Sequence, residues 1–290
     1  MTNKGRQGNR DLSRIPIESV RTYWDSRPCN VRHSPRQIGS REYFDEVELR
    51  KYFVEPHIPG FAEFERWRGK RVLEIGCGIG TDTINFARHG AHVTAVDLSE
   101  ASLRIAKQRA EVFGLARNIQ FYVGDVENLS RTLPPEPYDL VYSFGVIHHT
   151  PLPRRALEQL RQFVHSESTL KIMIYHRRSW KVFAILLRHG YGRFWRLGEL
   201  VARHSEAQTG CPITYTYTPS SARELLESCG FRVERMRVDH IFPYSVPAYV
   251  RYRYEKEWYF KHMPPSVFRW LETHWGWHLC VTAAPAQDFD

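Results

Sequence analysis

The chain has 290 residues, 42% apolar and 13% aromatic, with five cysteines and a formal net charge of +9. That is ample material for a buried core, and no stretch nears the run of about 18 apolar residues that a membrane helix needs. The start "MTNKGRQGNRDLSR" is basic and polar, so residues 1–14 read as a disordered tail and not as a secretory signal, and five scattered cysteines without a C-x-x-C pair argue against a disulfide framework or a metal site and suit a reducing cytoplasm.

Charge is unevenly spread. Residues 71–150 carry 7 Lys/Arg against 9 Asp/Glu, whereas 1–70 carry 14 against 10 and 151–290 carry 20 against 13. An anionic partner is therefore expected at the flanks. The segment "VRTYWDSRPCNVRHSPR" (20–36) shows no helical period and mixes Tyr, Trp, Arg and His.

From Arg71 onward, short apolar runs alternate with helical stretches. "RVLEI" (71–75) reads as a buried strand, the helix Thr81–His89 ends at Gly90, and "HVTAVD" (92–97) is a second strand. Ser99 caps a helix through about Phe113, with Leu103, Ala106 and Ala110 at helical spacing. "IQFYVGD" (119–125), "YDLVYSF" (138–144) and "STLKIMIY" (168–175) are three more strands, the last two joined by a helix over Arg154–Val164. A helix at Ser220–Ser228 and strands at 231–238 and 276–283 follow. Alternation this tight implies an α/β fold, a doubly wound, mostly parallel sheet with right-handed crossovers.

The organisation expected is therefore an N-terminal segment over 15–69, an α/β core over 70–175, a helical insertion over 176–218 and a C-terminal part over 219–290. In the insertion, Phe183, Leu186, Leu187, Phe194, Leu197, Leu200 and Val201 keep a helical period between Lys181, Arg188, Arg193 and Arg196. Residues 239–275 form a second insertion dense in aromatics.

The turn after the first strand reads Glu74-x-Gly76-x-Gly78-x-Gly80, with Cys77 as a small residue inside it. Glycines let the backbone approach a ligand, and the next helix offers free N–H groups. A dinucleotide fingerprint wants G-x-G-x-x-G, and here the third glycine comes one residue early. Asp97 ends the second strand, where a carboxylate can accept both ribose hydroxyls. "GDVE" (124–127) places Asp125 where it can accept from an exocyclic amine. Glu74 would repel a pyrophosphate and tolerate a cationic amine or sulfonium.

With "LEIGCGIG", "VDLS", "GDVE" and "YDLVYSFGVIHHT", the sequence resembles the class I S-adenosylmethionine-dependent methyltransferases of the broad small-molecule branch. The resemblance implies a seven-stranded sheet with an antiparallel last strand, and S-adenosyl-L-methionine bound across the carboxyl ends of strands one, two and four. Gly76, Cys77, Gly78 and Gly80 would face the methionine portion, with Glu74 near its amine. Asp97 and Leu98 would face the ribose, and Asp125 with Val126 the adenine. Ser143, at the end of strand four, completes the expected cofactor set. The N-terminal segment would fold over the site as a lid, which makes Tyr23, Trp24, Arg27, Arg32 and His33 substrate candidates. A surface arm packed by its own aromatics is the alternative.

Candidate bases sit after strands four and five: His148 and His149, then Tyr175 and His176, with Arg177 as a clamp for an anionic substrate. A small-molecule acceptor is the leading expectation, with its acceptor atom open among O, N, S and C. An RNA acceptor would use the basic flanks, but strand four ends in Ser143-Phe144-Gly145-Val146 and not in an Asn/Asp-Pro-Pro-Tyr/Phe motif. A lipid or prenylated acceptor at a membrane surface would use the amphipathic stretch 180–201.

Overall fold

Strands buried on both faces must be apolar nearly throughout, and the runs around the glycine turn meet that condition. The computed structural model of the chain describes residues 12–191, 194–204 and 211–286. Its seven strands are β1 (Arg71–Ile75), β2 (His92–Asp97), β3 (Ile119–Val123), β4 (Tyr138–Phe144), β5 (Val164–Tyr175), β6 (Phe231–Asp239) and β7 (His278–Pro285). They form one sheet in the order β3-β2-β1-β4-β5-β7-β6. The first five pair in parallel, and β7 runs antiparallel to both β5 and β6. This is the expected doubly wound sheet with an antiparallel last strand.

Helices α1 (Ile17–Ser26), α2 (Arg41–Val54) and α3 (His57–Ala62) precede the sheet. The crossovers are α4 (Thr81–Arg88), α5 (Glu100–Val112) and α6 (Pro153–Arg161). The first insertion holds α7 (Trp180–Ile185) and α8 (Leu197–His204), and α9 (Pro219–Glu227) leads into β6. Between β6 and β7 lie α10 (Val246–Val250), α11 (Trp258–Lys261) and α12 (Pro265–Trp275).

Side chains alternate across each strand, so β1 feeds two cores at once. Leu73 and Ile75 pack on one face with residues of α6 and α9, and Val72 packs on the other with α4 and α5. Leu73 is wholly buried; its truncation to Ala would cost about 2–5 kcal/mol and loosen both the strand and the turn behind it.

Three expectations are corrected. Residues 20–36 are not aperiodic throughout, because α1 spans their start: Ile17, Val20 and Trp24 recur at helical spacing. Leu12–Arg14, expected within a disordered tail, form a single turn with Leu12 packed on Val20 and Ile213; residues 1–11 lie outside the described residues. The helix expected across 183–201 is broken. A wide turn at Leu186–Gly190 ends at Tyr191 in the left-handed region (φ 44°), and regular helix resumes at Leu197. Arg193 lies outside the described residues.

Candidate functional site

The carboxyl ends of β1, β2 and β4 open into a cavity of about 910 Å³. At one end lies the glycine turn. Gly76 has φ 74°, and a Cβ there would sit 2.1 Å from Val146 Cγ2, so only glycine fits. Gly78 lines the cavity and has nothing within 4 Å of its missing Cβ, so a ligand can approach its backbone.

Asp97 lines the cavity beside this turn. Its Oδ2 accepts the Gly78 N–H at 2.7 Å and its Oδ1 accepts the Ser99 N–H at 2.8 Å. A carboxylate has about four acceptor positions, so two remain for a pair of hydroxyls. Burial pushes the Asp97 carboxyl up to about 6, against the pull of those two N–H donors. Leu98, Val126 and Asp125 continue the wall. Asp125 accepts from the Glu127 N–H at 2.9 Å and the Asn128 side-chain amide at 2.8 Å, and it too keeps acceptor capacity. An adenosine bearing vicinal hydroxyls and an exocyclic amine fits this donor and acceptor set.

Other expected cofactor residues do not line the cavity. Glu74 is 3% exposed and accepts the Thr83 hydroxyl. Burial, then the charge of Asp82, pushes its carboxyl up to about 8, and its side chain lies behind the cavity wall. Gly80 caps α4 and packs on Ala106. Ser143 is fully buried within β4, its hydroxyl without a partner among the described residues. Cys77 does line the cavity, but burial and then Asp97 hold its thiol well above the usual range, which makes it unreactive.

The base candidates divide in the same way. His149 and Tyr175 line the cavity; His148 and His176 do not. His149 Nδ1 lies 2.7 Å from the Ile213 carbonyl, and because a carbonyl only accepts, the proton sits on Nδ1 and the lone pair on Nε2. His148 is fully buried with both ring nitrogens unpartnered among the described residues, its ring 3.7 Å from that of Tyr175. Burial, then His149 and Lys181, holds it well below the ordinary histidine value. His176 spends Nδ1 on the Gly276 carbonyl at 3.1 Å. Arg177 is turned away and donates to the Thr216 carbonyl at 2.8 Å, so it clamps no substrate here.

Of the lid candidates, Trp24 and His33 reach the cavity, whereas Tyr23, Arg27 and Arg32 do not. Helical geometry explains this: with Ile17, Val20 and Trp24 inward, Tyr23 and Arg27 fall on the other side. Arg32 gives its carbonyl to the Tyr252 hydroxyl at 3.1 Å. His33 meets Tyr249 at 3.2 Å, and burial, followed by Arg50 and Lys51, lowers it to about 3.

Several lining residues carried no recognisable signal in the sequence. Lys51, from α2, reaches the cavity and pairs with the buried Asp82 at 2.7 Å. Asp82 also accepts from Tyr52 and Tyr142, each at 3.0 Å. At the far end, the edges of β6 and β7 contribute His240, Trp277 and His278, facing Glu55 from the end of α2.

Residues 67–208 match the family described as "Methyltransferase domain". They are a class I methyltransferase domain. The domain is similar to the ubiquinone biosynthesis O-methyltransferase of Coxiella burnetii, 36% identical over 91 residues. That match covers 31% of this chain and 37% of the relative, so the chain spans little more than a third of that relative's length. The structure also overlays magnesium protoporphyrin IX methyltransferase from Synechocystis PCC 6803, solved with bound SAM, with a TM-score of 0.55 at 16% identity, covering 98% of this chain and 100% of that one. The cyclase SpnF overlays with a TM-score of 0.53 at 16% identity, covering 95% and 93%. Likeness at these identities shows the fold that the methyltransferase domain adopts. Reaction is a separate matter, because one fold hosts many chemistries.

Proposed function

We propose that the chain transfers a methyl group from S-adenosylmethionine to a small molecule held in the same cavity. The observation that carries this reading is the continuity of one cavity, about 910 Å³, from Gly76, Gly78 and Asp97 to an aromatic far wall. Ligand pockets run to about 300–1,000 Å³, so this one has room for more than a cofactor.

When bound, the cofactor supplies an electrophilic methyl group on a sulfonium. Gly76, Cys77 and Gly78 hold its methionine end, Asp97 with Leu98 the ribose, and Asp125 with Val126 the adenine. The protein aligns the acceptor, excludes water and takes the acceptor's proton. His149 is the base in this reading, since it lines the cavity with its Nδ1 held by the Ile213 carbonyl. Phe144, Tyr175 and Trp277 suit a flat or aromatic acceptor. The O-methyltransferase relatives support oxygen as the acceptor atom. A cytoplasmic setting belongs to the same reading and is supported by five unbridged cysteines.

The test is incubation with methyl-labelled S-adenosylmethionine and cell extract, followed by separation into organic-soluble, aqueous, RNA and protein fractions. Label should enter a small-molecule fraction and fall sharply with Asp97→Asn at a cofactor concentration near the native Kd. Label in RNA would replace this reading with the basic-flank one.

One observation favours a second reading, a lipophilic acceptor met at a membrane surface. Leu187, Trp195, Val250 and Trp258 are 65–74% exposed on the two insertions, whose neighbours Arg188, Val246 and Tyr259 line the cavity. Among the described residues, no helix is long and apolar enough to cross a membrane, so contact would be peripheral. Co-sedimentation with anionic liposomes, weakened by Trp258→Ser, would support it; no co-sedimentation would remove it.

A further inference from the structure

We propose that Glu55, His240 and His278 bind one zinc-class divalent cation at the far end of the cavity, leaving a coordination position open to an oxygen donor. Two imidazoles and one carboxylate are the donor set of open transition-metal sites, whether catalytic zinc or non-haem iron. Here they come from three separate elements, the end of α2, the end of β6 and the start of β7, and all three line the cavity.

The geometry is close to closed. One donor atom from each residue lies within 4.8 Å of the other two, and His278 Nε2 is already 3.7 Å from Glu55 Oε1. An ion with bonds of about 2.0–2.2 Å holds tetrahedral donors about 3.4 Å apart. Side-chain rotation of about an ångström therefore completes the site.

The surroundings prepare the imidazoles for it. His278 Nδ1 lies 3.0 Å from Nε2 of His57, a buried residue that opens α3. With the proton of His278 on Nδ1 and donated to His57, the Nε2 lone pair points toward Glu55. An orienting partner on the second ring nitrogen is the usual support of a metal-bound histidine. His240 is 7% exposed, yet its ring makes no hydrogen bond among the described residues. Its ring lines the cavity, where a ligand can reach it. Its backbone is meanwhile fixed on both sides, with the carbonyl accepting from Trp277 at 2.7 Å and the N–H donating to Asp239 Oδ1 at 2.9 Å.

Packing alone does not explain three adjacent imidazoles. The His240 and His278 centroids are 4.5 Å apart and those of His57 and His278 5.1 Å, with Phe144 edge-on to His278 at 5.5 Å. Aromatic side chains without nitrogens would fill the same space with no buried group left unpaired. An acceptor lying between Phe144 and Tyr175 would present an oxygen to the bound ion, which would lower the oxygen's pKa before methyl transfer. This last role rests on the methyl-transfer reading, whereas binding of the ion does not.

The experiment uses the full chain, stripped with a chelator and titrated with Co²⁺ alone, read by calorimetry and by the visible absorption of nitrogen- and oxygen-ligated cobalt. One equivalent should bind and develop the band. His240→Ala and His278→Ala should abolish it, Glu55→Gln should weaken it, and His57→Phe should cost about 10–100-fold in affinity as the loss of an orienting partner. Near-UV circular dichroism without metal checks the fold, and Glu55→His, which keeps a donor, should retain binding. His189→Ala, which removes a ring stacked 4.0 Å from His204, should leave the titration unchanged. No cobalt bound by the native chain, binding that survives both histidine variants, or loss only with His189→Ala would each overturn the site. Label transfer in the presence of chelator, with no cobalt bound, would sink the metal site and spare the methyltransferase reading. Cobalt bound with no transfer to any fraction would do the reverse.

Discussion

Glu74 and Asp97 end on neighbouring parallel strands and are both acidic, yet their surroundings give them opposite work. Asp97 meets two backbone N–H groups and the cavity, and burial leaves its carboxyl at about 6. Accepting from two hydroxyls requires the ionised form. Cofactor affinity should therefore be flat above about pH 7 and fall as pH drops through 6. In Asp97→Asn calorimetry should find that dependence gone and affinity lower by about 10–100-fold, the worth of one charge-assisted hydrogen bond. Unchanged affinity in the variant would remove Asp97 from the site.

Glu74 has a raised carboxyl and does not line the cavity. Its ordinary value of 4.5 in the unfolded chain against about 8 in the fold means that the native state holds the proton more tightly. Its contribution to stability is complete below 4.5 and is lost as pH rises toward 8. Denaturant melts of Glu74→Gln should show a smaller loss of stability between pH 5 and pH 8 than the native chain does. An equal loss in both would place the titration elsewhere. The strand-end position of Asp97 in the sequence matches its place on the cavity wall, whereas Glu74, expected beside it, lies buried behind the turn. Nothing in the one-dimensional pattern says that Thr83 and Asp82 fold back over it.

At the scale of elements, the sheet and its crossovers were readable because parallel strands buried on both faces leave continuous apolar runs. The lid was legible only as a segment. Its helix α1 carries just three inward residues in ten, spaced 17, 20 and 24, too sparse to stand out beside Tyr23, Arg27 and Arg32. Beside its apolar packing, a polar contact ties α1 down: Asp25 Oδ1 accepts the Ser99 hydroxyl at 2.8 Å and the Ala101 N–H at 3.1 Å, at the start of α5. A carboxylate there satisfies an orphan helix N–H and complements the helix dipole. Asp25→Ala should cost about 0.5–2 kcal/mol, the usual loss for a helix cap. Hydrogen exchange should speed up over residues 17–26 more than over β1 or β4. Uniform acceleration would mean that α1 is part of the core and no separate lid.

The whole molecule explains why the far half of the site escaped the sequence. Glu55, His240 and His278 meet only because the antiparallel pair β6–β7 turns back beside β5, and no spacing along the chain announces that. The same arrangement makes the cavity a joint product of the N-terminal helices, the parallel core and the C-terminal strands. A ligand filling it ties all three together. At 100 times its Kd, a cofactor that binds only the folded chain adds about 2.7 kcal/mol. For 290 residues, with an unfolding entropy of about 2.1 cal/mol/K per residue, that is a rise in Tm of about 4 °C. The melt should remain a single transition that moves as one. Asp97→Asn at the same cofactor concentration should keep only about 1–2 °C of the shift. Two transitions, with only the earlier or the later one moved by ligand, would mean that the flanks fold apart from the parallel core. The cavity would then close only after they dock, and the basic flanks would have to be treated as a unit with a partner of their own.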